Sequence, residues 1–220
     1  MKEKLKLILS EQGIFPTIDN FRRLPQISRW LVSGCRGIAP PPVKRMVIKS
    51  YLRTYDLNWF IETGTHLGDT LADVAFDKSL QTVSIELADN YYHTAQKHFA
   101  NYTNVELFHG DSGTLMPQVV ARLQEPALFW LDGHYSGGVT ARGDLETPVS
   151  QELQAILASP VRGHVILIDD IRCFDGTHDY PCLDDFLAAI RTDGRYHIEV
   201  SADILRMTPN YSRFAHFCES

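Results

Sequence analysis

From residue 58 onward the chain alternates two hydrophobic patterns. Short apolar runs bounded by turn residues occur at Asn58–Glu62, Thr82–Glu86, Val105–His109, Ala127–Asp132 and His164–Asp169. Runs of this length and composition predict buried parallel strands. Longer stretches with apolar residues at helical spacing separate them: Leu67–Phe76, Asn90–Ala100, Ser112–Arg122, Pro148–Ala158 and Cys182–Arg191. Alternation of this kind predicts an α/β fold, a doubly wound parallel sheet with helices on both faces. The end of the chain differs. Tyr196–Val200 and Asp203–Met207 are separated only by Ser201 and Ala202. That gap admits a hairpin but no crossover helix, so a seven-stranded sheet with an antiparallel C-terminal hairpin strand is expected.

Residues 1–57 read differently. Leu5, Leu7, Ile8 and Leu9 predict a short helix ended by Gly13. Pro25 opens a second helix through Ile27, Trp30 and Leu31, with Gly34 past its end. Pro40-Pro41-Pro42 breaks the chain, and Val43, Met46, Val47 and Tyr51 recur at helical spacing. The division expected is a helical extension over residues 1–57, packed on a main domain over residues 58–220. A segment this small would struggle to bury a core alone. Plain structural helices and a substrate lid are both compatible with it.

Composition narrows the class. The chain has 220 residues, 44% hydrophobic and 22% charged, as an ordinary globular domain does. A net charge of −6 disfavours a nucleic-acid partner, which needs a basic face. Cys35, Cys173, Cys182 and Cys218 show no C-x-x-C spacing. That fits reduced thiols and a cytoplasmic location better than a disulfide scaffold or zinc site. No apolar run is long enough to span a membrane. The sequence does not choose between a monomer and a homo-oligomer.

The chemistry gathers at the strand ends. Open α/β sheets bind ligands at the carboxyl ends of their strands. Glu62, Glu86, Asp132 and Asp169 all end strands, and Asp111 lies just beyond another. After Glu62 comes Thr63-Gly64-Thr65-His66-Leu67-Gly68-Asp69-Thr70. Gly64 permits a sharp turn at positive φ, and Gly68 lets the next helix start close to the strand. The spacing lacks the G-x-G-x-x-G of dinucleotide sites, which disfavours NAD. Glu86 can accept both ribose hydroxyls of a nucleoside cofactor, or serve as a helix-start carboxylate. Asp111 with Ser112 can read an adenine edge, or simply cap the following helix. Asp132 and the pair Asp169-Asp170 should converge from neighbouring strands. Three carboxylates in one small space suit a hard divalent cation such as Mg²⁺. His134, two residues past Asp132, is either a general base or a loop-packing histidine.

At these residues the chain resembles the class I S-adenosylmethionine-dependent methyltransferases, over roughly residues 58 to 208. Glu62 to Thr70 looks like the E-x-G-x-x-x-G-x-[ST] cofactor motif of the catechol O-methyltransferase branch. Asp132 and Asp169-Asp170 look like that branch's metal ligands. The Asp-Asp form is closer to macrocin-type sugar O-methyltransferases. The resemblance implies a Rossmann-like fold with S-adenosylmethionine and Mg²⁺ as cofactors. It implies that Glu62, Gly64 and Thr70, in a turn shared with Thr65 and Gly68, hold the methionine part. Glu86 would hold the ribose, and Asp111 and Ser112 the adenine. Asp132, Asp169 and Asp170 would bind the metal, and His134 matches the position of the sugar enzymes' base. Two departures stand out. Residues 133 to 141 contain no lysine, where catechol-type enzymes place one close after the first metal aspartate. The sugar enzymes carry an aspartate where His134 stands.

The function expected is Mg²⁺-assisted O-methylation of a small hydroxylated acceptor, a sugar or secondary metabolite. The Gly-rich loop Ser136–Asp144, with Arg142, and the loop Arg172–Tyr180, with Asp175 and His178, would border its pocket. The rivals are an NAD-type oxidoreductase and a non-catalytic cofactor-binding protein.

Overall fold

The computed structural model describes residues 23–133, 147–177 and 179–210. The first predicted helix, His134, the loop Ser136–Asp144 with Arg142, His178 and Cys218 lie outside these residues.

Seven strands form one sheet: β1 (Trp59–Thr63), β2 (Gln81–Glu86), β3 (Val105–His109), β4 (Ala127–Leu131), β5 (Val165–Ile168), β6 (Tyr196–Ser201) and β7 (Ile204–Pro209). Their spatial order is β3-β2-β1-β4-β5-β7-β6. The first five run parallel, and β7 is antiparallel to both β5 and β6. The sheet is Rossmann-like, with the expected antiparallel hairpin; its two-residue turn is Ala202-Asp203, both at positive φ, one position beyond the predicted gap. Every residue of β4 and β5 is buried, whereas the edge strands β3 and β6 are partly exposed. Continuous apolar runs therefore mark the central strands.

Alternation along the strands fills two layers. Ile61, Ile85, Phe129 and Ile166 face one side, with Met116, Leu153 and Phe186 from helices α5 (Ser112–Ala121), α6 (Val149–Leu157) and α7 (Leu183–Arg191). Phe60, Leu128 and Leu167 face the other. There they meet Ile48, Leu71 and Ala95 of helices α2 (Pro41–Thr54), α3 (Asp69–Ala75) and α4 (Asp89–His98), and Phe99 just beyond.

The N-terminal helices partly match expectation. Helix α1 (Leu24–Val32) has Pro25 in its first turn, buries no residue, and is followed by Gly34 at φ +76°. Helix α2 buries Pro42, Arg45, Ile48 and Leu52, not the stripe Val43, Met46, Val47 and Tyr51; Met46 is 64% exposed. An acidic partner rotates the helix. Asp73 of α3 is buried, and Arg45 and Lys49 both reach it, Lys49 at 2.9 Å.

At the amino end of the sheet, Asn104 acts as a clasp. Its side-chain amide donates to the carbonyls of Ala75, Asp77 and Leu80. Its own carbonyl accepts from the backbone N–H and the hydroxyl of Thr82.

At the carboxyl end, successive connections leave β1 in opposite directions: β1 to β2 to β3 on one side, β4 to β5 on the other. The crevice of such a sheet opens at this reversal, between the ends of β1 and β4.

Candidate active site

Beside that crevice, β1 ends in a carboxylate withdrawn from water. Glu62 is buried and accepts a 2.7 Å hydrogen bond from the Ser84 hydroxyl. The hydroxyls of Ser84 and Thr65 are 2.6 Å apart. Burial pushes the Glu62 carboxyl up to about 8; the Ser84 bond opposes this, and the charges of Asp132 and Glu86 add to it. Gly64 follows at φ +81°, and a Cβ there would lie 2.7 Å from the backbone oxygen of Asp132. Only glycine lets the β1 turn press against the end of β4. Thr63 ties the same two ends, its hydroxyl oxygen accepting from the N–H groups of Asp132 and Gly133, each at 3.2 Å.

The turn continues toward β2. His66 sits at φ +49° and its N–H donates to Glu86 at 2.7 Å. The other oxygen of Glu86 accepts from the N–H of Ala88 at 2.8 Å. Two backbone donors from two turns thus hold this buried carboxylate. Gly68 opens α3 at φ +75°, and its close neighbour is not the strand, as expected, but the ring of Phe99, 3.0 Å from a Cβ built there. Thr70 lies half-buried in the first turn of α3.

After β3, Asp111 caps α5, accepting from the N–H of Thr114 at 2.9 Å. Ser112 turns inward and donates to Glu152 at 2.5 Å. Glu152 is buried, and burial pushes its carboxyl up to about 7; bonds from Ser112 and Thr63 oppose this, and the charges of Asp111 and Asp132 add to it. The sequence reading missed Glu152. Its signal was a carboxylate on the apolar face of α6, beside Val149, Leu153 and Ile156.

Asp132 and Asp169 fall one residue past β4 and β5, and the Asp169 N–H donates to the Leu131 carbonyl at 3.0 Å. A small cavity between these ends is lined by Asp132, Glu152, Asp169, Thr147, Phe174 and Tyr180. Asp132 stands at the electrostatic centre of the rim: its charge acts on Glu62, Glu152, Asp169 and Lys44. Burial pushes Asp169 up, and Asp132 adds to the shift while Lys44 opposes it. Asp170, at φ +56°, gives its N–H to Asp169 at 2.8 Å.

No protein-family model matches the chain, and no curated protein sequence matches it. Solved structures do. The SAH-bound methyltransferase PaMTH1 of Podospora anserina is 16% identical, with 79% of this chain and 80% of that one covered, at a TM-score of 0.57. The O-methyltransferase TomG of Streptomyces achromogenes, involved in tomaymycin synthesis and in complex with SAM, is 15% identical over 78% and 81%, at 0.55. An O-methyltransferase of Bacillus cereus in complex with SAH is 15% identical over 85% and 90%, at 0.57. This chain has the fold of these methyltransferases.

The methyltransferase fold brings Asp169 and Asp170 together, but their third partner differs from expectation. Among the described residues, the carboxylates with oxygens within 4.8 Å of one another are Asp169, Asp170 and Asp203; Asp132 is not in that set. Asp203 joins because Asp170 turns left-handed and Asp203 precedes β7, the neighbour of β5. The seat also carries cations of the chain itself. Lys44 of α2 lies 2.5 Å from Asp169 and 3.4 Å from Asp170. Arg172 lies 2.7 Å from Asp170 and also pairs with Asp203. Burial works against charge on Lys44, but Asp169, Asp170 and Asp132 outweigh it and raise its pKa above the ordinary value. Mg²⁺ needs oxygens at about 2.1 Å in a nearly regular octahedron. With Lys44 on Asp169, these residues do not offer that shell. No sequence signal distinguished Lys44 from the other basic residues of its helix.

Proposed function

We propose that this chain is an S-adenosylmethionine-dependent O-methyltransferase acting on a hydroxyl of a small molecule, a sugar or a secondary metabolite, in the cytoplasm. One observation carries the reading: Gly64 packs against the Asp132 backbone at the sheet's crossover, with the carboxylates of Glu62 and Glu86 on the same rim. Two features of the rim support the cofactor reading. A Cβ at residue 64 would strike the Asp132 backbone and force the ends of β1 and β4 apart, and Glu86 is held with lone pairs to spare for two ribose hydroxyls. Glu62, Gly64, Thr65, Gly68 and Thr70 would form the methionine end of the site, and Asp111 and Ser112 the adenine end.

When bound, S-adenosylmethionine supplies a methyl carbon on a positively charged sulfur, open to in-line displacement. The carboxylates of Asp132 and Glu86 on this rim suit that charge, and its arrival would favour ionisation of Glu62, which burial otherwise pushes up to about 8. Ionising an aliphatic hydroxyl with a water-like pKa of about 15.7 costs roughly 12 kcal/mol at pH 7. A base is therefore required, and His134 is the residue we assign to it, from its place two positions beyond Asp132. Tyr180 and Phe174, which line the cavity beside Asp132 and Asp169, would form the apolar wall of the acceptor side. The net charge of −6 favours a small acceptor over nucleic acid.

Mg²⁺ assistance is the second reading, favoured by the convergence of Asp169, Asp170 and Asp203. It requires the metal to displace Lys44. Calorimetry with S-adenosylhomocysteine and with NADH tests the cofactor. Binding of the first and none of the second is expected; the reverse overturns the proposal. Transfer of labelled methyl to hydroxylated acceptors then tests the reaction.

A further inference from the structure

We propose that Lys44, on helix α2 of the N-terminal region, is the resident cation of the acceptor site and takes the place a divalent metal would fill. The inference rests on the methyltransferase reading for what the site does, though not for who occupies it.

The geometry is built, not incidental. Lys44 comes from an element 125 residues away from Asp169 and is 16% exposed, against 2% for Asp169. Helix α2 cannot rotate to release it freely. Ile48 and Leu52 are sunk in the core, and Arg45 and Lys49 are fastened to Asp73 on the adjacent face. Lys44 is thus carried to the rim by a helix anchored along its length. At the rim, Asp169 spends one oxygen on the Asp170 N–H and the other on the Lys44 ammonium. Asp170 gives one oxygen to both Lys44 and Arg172. A divalent ion would have to strip these contacts and sit within a few ångströms of a fixed positive charge.

An ammonium offers three N–H donors. Among the described residues, Lys44 uses them on two carboxylates, Asp169 and Asp170. The third serves the acceptor oxygen, lowering the cost of its ionisation by proximity to a positive charge.

The test is Mn²⁺ uptake by the full chain, read by electron paramagnetic resonance, for wild type, Lys44→Met and Lys44→Arg. Wild type and Lys44→Arg should take up no Mn²⁺ at about 1 mM, the weak end of biological divalent sites. Lys44→Met, which uncovers one Asp169 oxygen while Asp170 keeps its contact with Arg172, should gain a site at least about tenfold tighter. Circular dichroism checks its fold; should it not fold, the wild-type titration decides alone. Mn²⁺ bound by wild type at about 1 mM or below, or a folded Lys44→Met no tighter than wild type, overturns the proposal. Calorimetry with S-adenosylhomocysteine on the same wild-type sample keeps the two ideas apart. Cofactor binding with Mn²⁺ uptake sinks only the Lys44 inference, and absence of cofactor binding sinks only the methyltransferase reading.

Discussion

The two halves of the sheet's carboxyl rim hold their acids in different ways. On the β1–β2 side, Glu62 and Glu86 are held by neutral donors: a serine hydroxyl and two backbone N–H groups. On the β4–β5 side, Asp169 and Asp170 are held by the chain's own cations, Lys44 and Arg172. The first arrangement leaves each Glu86 oxygen open to a further donor, while burial pushes the neighbouring Glu62 carboxyl up to about 8. The second sets two cations, Lys44 and Arg172, against three carboxylates, Asp169, Asp170 and Asp203, so most of its charge is met within the chain. A carboxylate count does not separate the two; the partners do.

The comparison can be broken most directly at Gly64. Gly64→Ala puts a Cβ 2.7 Å from the Asp132 oxygen at φ +81° and pushes the halves apart. A loss of about 2–4 kcal/mol in thermal or urea unfolding, with S-adenosylhomocysteine affinity down more than about 100-fold, is expected. Unchanged affinity would mean that the halves do not form one site. Next comes Glu86→Ala, which removes the acceptor but leaves the fold; calorimetry should show binding weakened by about 10–100-fold.

Glu62 sharpens the contrast through pH. Its folded-state pKa, about 8, lies above its ordinary 4.5. The ligand-free fold therefore binds more protons than the unfolded chain across that window. This contribution to stability is fully present below about 4.5 and is lost as pH rises through about 8. Glu62→Gln cannot titrate, so urea midpoints measured from pH 5 to 8.5 should fall less steeply than in wild type. Parallel curves would refute the assignment. The smallest effect belongs to Ser112→Ala, which breaks the 2.5 Å bond to Glu152 without touching either carboxylate pair. About 1 kcal/mol of stability and a few-fold change in cofactor affinity are expected from unfolding and calorimetry.

Much of this architecture was legible in the pattern of residues. All seven strands fall where the short apolar runs predict them, to within one or two positions, and the short gap between the last two does form a hairpin, with Ala202-Asp203 as its turn. The glycine turn was legible because positive φ and close approach leave few residue choices at Gly64. What was hidden depends on distant partners. Helix α2 was legible but not its buried face, because Asp73 draws Arg45 and Lys49 to it and no local period encodes that. Asp203 read as the start of a strand, yet it lies in the left-handed β6–β7 turn, which sets it beside Asp170 in the acidic group. Glu152 could have been found by asking why a charge interrupts an apolar stripe. Lys44 could not, since nothing about one lysine in a basic helix foretells which carboxylate it meets.

Asn104 has a bearing on motion. By fastening three carbonyls of the α3–β2 connection and the head of β2, it locks the floor of the sheet, at the end away from the crevice. Breathing of the domain is thereby steered upward. Amide protons of Leu80 and Thr82 should exchange with deuterium more slowly than those of the turn at Thr65 and His66, a gradient that lets a guest enter from above while the foundation stays shut.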